Sequence, residues 1–147
     1  MDIRRSDYSK MADKASPPSK KFVNFFKAFF VGGTICLIGQ CFMRLYEGLG
    51  LGEEQTRAFT SVTLVVISAI LTGLGVYEKI GKFGGAGSLV PITGFANAVV
   101  SPALDNKPEG KILGTGAQIF TIAGPVIVYG VIAATIYGLI IYIASLF

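Results

Sequence analysis

Residues 84–105 read GGAGSLVPITGFANAVVSPALD, a stretch apolar enough for a bilayer yet rich in Gly, Pro and amide. A simple spanning helix would not carry this mixture. Backbone N–H and C=O groups cannot stay unpaired in hydrocarbon, so a broken segment at membrane depth has to be buried against other helices or face a water-filled path. Function is expected to sit there.

The surrounding sequence sets the class. The chain has 147 residues, 52% of them hydrophobic and 15% charged, with a mean hydropathy of +0.62. That is far above the soluble average and points to one integral membrane domain. Four apolar blocks are legible against the ~20 residues that a spanning helix needs: 22–46, 59–77, the irregular 84–104, and 112–147. The last is too long for one straight span, and Gly124-Pro125 is the expected break, because proline removes a ladder donor and crowds the preceding turn. Residues 113–123 then read as a half-helix and 126–146 as a span. The expected fold is an all-α integral membrane protein of three to four transmembrane helices around a broken, Gly/Pro-rich membrane segment that also contains Pro91. Whether 84–104 crosses or re-enters, and on which side the loop 105–111 lies, stays open at this level.

Residues 1–21 form a basic tail. Arg4, Arg5, Lys10, Lys14, Lys20, Lys21 and Lys27 precede or open the first block, which places the N-terminus in the cytoplasm. Anionic lipid headgroups are the nearer partner of such a run, and nucleic acid is not expected. The first block exceeds the length of a signal-peptide core and no small-residue cleavage site follows, so it is expected to remain as a span. Cys36 and Cys41, inside that block, read as small apolar fillers and not as a disulfide or metal pair.

The chain has no His, no carboxylate inside an apolar block and no nucleophile beside a base, which argues against an enzyme, a metal site, a cofactor or an ion-coupled pump. The apolar blocks instead carry neutral polar residues at helical spacing. Thr93, Asn97 and Ser101 repeat every four residues and share a face if that stretch is helical; Gln118 and Thr121 form a shorter pair. These five are the expected solute path, since side-chain amides are costly to bury in lipid and sit beside backbone breaks. Gly32, Cys36 and Gln40 in the first span, and Ser61, Ser68, Thr72 and Gly75 in and after the second, read equally well as helix–helix glue. Gly130, Ala134 and Gly138 form a small-residue row assigned to packing. Gly84, Gly85, Gly87 and Ser88 are expected to act as a hinge or as an anion nest of backbone N–H groups.

Three runs carry a family resemblance: GGAGSLVPITGFANAVVSPALD at 84–105, EGKILGTGAQIFTIAGPVIVYG at 109–130 and VGGTICLIGQ at 31–40. Over residues 22–147 the chain resembles the small SpoVA membrane proteins of endospore-forming bacteria, the AC type more closely than the AE type. The resemblance implies a subunit of a spore inner-membrane channel that moves dipicolinic acid, with its calcium, into the forespore and out again at germination, and it links the family to tension-gated behaviour. Implied partners are other SpoVA membrane subunits of the AE type and a soluble AD-type subunit at the cytosolic face. A passive polar path suits a small anionic solute, and so few spans imply an oligomer. The alternative is a non-conducting assembly subunit whose polar faces are all interface.

Overall fold

A computed structural model describes Met11 and residues 20–146. The basic tail expected over 1–21 lies outside the described residues except for Met11, Lys20 and Lys21. The fold is all-α: α1 (Lys21–Gly48), α2 (Glu53–Gly73), α3 (Val76–Gly84), α4 (Ala86–Leu89), α5 (Ile92–Asp105), a 3-10 turn at Lys107–Glu109, a π-helical turn at Lys111–Gly116, and α6 (Phe120–Ala144). Among the described residues, three stretches are long and apolar enough to cross a membrane: Lys21–Gly48, Glu53–Gly73 and Lys111–Ala144.

The first two spans form an antiparallel hairpin. Tyr46 and Thr63 share a hydrogen bond of 2.7 Å, and Leu64 packs on the bare backbone of Gly39. The second span begins earlier than its apolar block, because Glu53 and Glu54 occupy the first turn, where carboxylates complement the helix dipole. Arg57 closes on Glu53 one turn later.

The broken segment does not cross. The Ser68 hydroxyl donates to the Thr93 carbonyl at 2.6 Å, and Thr72 Oγ1 lies 3.0 Å from Asn97 Oδ1. Both pairs are 25 residues apart in sequence, so α5 runs parallel to α2 and ends at the same membrane face. At 14 residues, α5 is about 21 Å long, short of a ~30 Å hydrocarbon core. The chain leaves α2 at that face, turns at Gly75 (φ +69°), dips inward through α3 and α4, and returns along α5. Residues 76–105 are therefore a re-entrant hairpin, and the loop after Asp105 lies on the face where α1 begins.

Close approach explains the glycines at the hairpin's tip. A Cβ on Gly87 would stand 2.0 Å from the Ala28 carbonyl oxygen of α1, and one on Gly84 would stand 2.7 Å from Val31 Cγ1. Both contacts put the tip roughly 10–15 Å along α1 from its start, at 1.5 Å per residue.

The expected break at Gly124-Pro125 is corrected. α6 runs through both residues, and the irregular turn comes earlier, at Lys111–Gly116. The ladder is disturbed where the chain presses on the preceding loop: a Cβ on Gly114 would lie 2.1 Å from the Asn106 carbonyl oxygen. Pro125 costs a single rung near the start of a 25-residue helix, and the side-chain-free Gly124 beside it leaves room for the ring. The half-helix and span expected over 113–123 and 126–146 thus merge, with α6 packed on α5 through its first turns and exposed from Pro125 onward.

Candidate functional site

Parallel packing of α5 on α2 creates a polar cleft. Its volume is 410 Å³, and it is lined by Thr72, Gly75, Glu78, Asn97, Ser101, Leu104 and Asp105. It opens on the face where the re-entrant hairpin enters and leaves. Asn97 and Ser101 are half-buried; the amide is fixed by the Thr72 hydroxyl, and the Ser101 hydroxyl donates to Asp105 Oδ2 at 3.3 Å.

The rim is acidic. Glu78 pairs with Lys82 one turn on. The Lys82 ammonium, hydrogen-bonded to the carboxylate and reinforced by its charge and that of Lys79, holds the Glu78 carboxyl below its ordinary range.

Thr93, the first member of the expected path, has different surroundings. It is 6% exposed, with its carbonyl taken by Ser68 and its hydroxyl 3.0 Å from the Tyr77 oxygen. Tyr77 in turn donates to the Ser88 carbonyl at 2.7 Å, and the Ser88 hydroxyl donates to the Gly85 carbonyl at 2.9 Å. Ser68, Tyr77, Ser88 and Thr93 are thus a buried, hydrogen-bonded knot that pins the hairpin to α2. Buried polar groups satisfied in this way stiffen a structure instead of wetting it.

Gln118 and Thr121 do not reach the cleft. The Thr121 hydroxyl donates to Gln118 Oε1 at 2.7 Å on the exposed side of the final helical stretch. At the glycine-rich tip three backbone N–H groups are engaged within the chain: the Gly85 N–H bonds to the Gly81 carbonyl, and the Ser88 and Leu89 N–H groups both bond to the Gly85 carbonyl. Gly85 has a φ of +51°, a backbone conformation that favours glycine. Gly130, Ala134 and Gly138 face outward, with open space where a Cβ would stand on either glycine, so any packing they make is with lipid or another chain.

Sequence reasoning missed the carboxylates of Glu78 and Asp105 as part of the cleft. It also missed Tyr77 as an anchor. One signal was available: Ser68 and Thr72 have the four-residue spacing of Thr93 and Asn97, and matched spacings on two helices are what a parallel, hydrogen-bonded contact requires.

The architecture defines a polytopic all-α membrane protein with three spans and a re-entrant hairpin that carries a polar cleft. The family model described as SpoVAC/SpoVAEB sporulation membrane protein matches residues 24–140. Stage V sporulation protein AC of Bacillus subtilis (strain 168) is 49% identical over 129 residues, covering 86% of each chain. The chain belongs to the SpoVAC/SpoVAEB family of sporulation membrane proteins. No solved structure matches it.

Proposed function

We propose that the protein is a subunit of a spore inner-membrane channel for dipicolinic acid carried with its calcium, with the cleft at Asn97 and Ser101 as the cytoplasmic vestibule of the path. The observation that carries this reading is the polar cleft itself, held by a re-entrant hairpin at a membrane face. Irregular backbone at membrane depth is found where it is buried in protein or lines a cavity, and this hairpin does both.

The acidic rim bears on the form of the solute. A bare dianion meets like charge at Glu78 and Asp105, whereas the same anion bound to a divalent cation is neutral and does not. Sidedness follows from the basic residues. Lys21, Lys27, Lys79, Lys82, Lys107 and Lys111 gather at the face where α1 begins, against Arg44 and Arg57 among three glutamates at the other, so the first face is cytoplasmic by the positive-inside rule.

One chain cannot enclose the path. α6 is exposed beyond its first turns, so further copies or AE-type subunits have to complete the outer half, with the AD-type subunit docking at the cytoplasmic face. Gating by membrane tension belongs to this proposal: the hairpin is jointed at Gly75 and Gly85, both at positive φ.

Release of calcium dipicolinate from proteoliposomes, with and without a co-reconstituted AE-type subunit, tests the reading. Osmotic downshift is expected to trigger efflux. Asn97→Leu is expected to lower it about tenfold, for loss of a hydrogen bond worth ~1–1.5 kcal/mol, without impairing insertion or assembly. Silence of every combination at high protein density would overturn the channel and leave the non-conducting assembly subunit.

A further inference from the structure

A second cavity has the opposite character from the cleft. It is a groove of 440 Å³, partly open, walled by Ile35 and Ile38 of α1, Leu64 and Leu71 of α2, and Ile80 and Phe83 of α3. This lies within the ~300–1,000 Å³ typical of ligand pockets. The polar atoms at its floor, on Ser68, Tyr77 and Thr93, are engaged with one another or with backbone carbonyls. What the groove offers an occupant is therefore hydrocarbon.

A third cavity, of 500 Å³, lies on the other side of Phe83, which the two share, and is edged by Lys21, Asn24 and Lys82. Lys27 stands beside both, with its Nζ 4.8 Å from the centroid of the Phe83 ring. Lys82 is tied to Glu78, while among the described residues neither Lys21 nor Lys27 belongs to an ion pair. An apolar slot thus neighbours a cationic mouth, the two meeting at Phe83, toward the face where α1 begins, which is the side of the lipid phosphates.

We propose that this composite site binds one anionic phospholipid, with an acyl chain in the groove between α1, α2 and α3 and the phosphate at Lys21 and Lys27. Apolar and cationic parts are joined in the order of chain and headgroup. The lipid would wedge beside Phe83, on the helix that opens the re-entrant hairpin, and so would brace the hairpin against α1 and α2.

Native mass spectrometry of the full chain, released from nanodiscs of equimolar phosphatidylglycerol and phosphatidylcholine, tests the proposal. One phosphatidylglycerol adduct is expected to be retained preferentially. Lys21→Gln with Lys27→Gln should lower that preference about 30-fold, the conversion of roughly 2 kcal/mol for two lysines near a phosphate. Arg44→Gln with Arg57→Gln, an equal charge change at the other face, should leave it unchanged. Dihexanoyl phosphatidylglycerol, which has the headgroup but short chains, should compete poorly. Equal retention of the two lipids, equal loss in both double variants, or full competition by the short-chain lipid would each overturn the site.

Discussion

Gly87→Ala probes the crossing that holds the hairpin against α1. The added Cβ would stand 2.0 Å from the Ala28 carbonyl oxygen, against 3.4 Å for the start of ordinary contact, so the backbones must separate by about 3.4 − 2.0 = 1.4 Å. The obstacle is backbone on a 28-residue helix, not the end of a flexible side chain, and it cannot step aside. Overpacking of this kind costs about 1–3 kcal/mol, which is roughly a 5- to 150-fold shift in the folding equilibrium. Gly→Ala also gains up to ~1 kcal/mol of helix propensity, and Gly33→Ala serves as the reference, because a Cβ there meets nothing within 4 Å. Unfolding by SDS titration, followed by circular dichroism, should place Gly87→Ala below Gly33→Ala by the whole clash term. Equal stability of the two variants would refute the crossing.

Other predictions concern side, knot and rim. In a Cys36→Ser, Cys41→Ser background, Asn106→Cys should react with a membrane-impermeant maleimide from the same side as Lys21→Cys and from the side opposite Leu49→Cys; labelling together with Leu49→Cys would replace the hairpin by a full crossing. Ser68→Ala removes a fully buried 2.6 Å hydrogen bond and should cost about 1–3 kcal/mol in the same titration, whereas Ser61→Ala, which removes an exposed bond within its own helix, should cost much less. The Glu78 carboxyl is depressed by Lys82, so the pairing contributes above the unfolded carboxylate pKa and is lost as pH falls through the lower folded value. Nuclear magnetic resonance titration of the labelled carboxyl should therefore show Lys82→Gln moving its midpoint upward, and an unmoved midpoint would remove Lys82 as the cause.

Much of this architecture was legible in sequence because hydropathy reports directly on solvent. Residues 22–46 and 59–77 lie largely within α1 and α2. Where the last span becomes irregular was not legible, since proline is visible locally while the pressure of Gly114 on the Asn106 carbonyl exists only after the loop has folded back. The site divided in the same way. Four-residue spacing put Thr93, Asn97 and Ser101 on one face, but spacing does not distinguish a residue sealed by Tyr77 from one that opens into a cleft. The carboxylates were hidden for a third reason: Glu78 and Asp105 are distant in sequence and come to line one cleft only when α5 is laid along α2.

The re-entrant hairpin thickens the protein in one leaflet only. Near the face where α1 begins each chain occupies the breadth of α1, α2, α6 and the folded-in hairpin, while toward the opposite face it narrows to three rods. Such a molecule is a wedge. Copies placed side by side would close into a truncated cone and not a cylinder, with the broad end at the face where α1 begins, and the surrounding bilayer would have to bend to meet it.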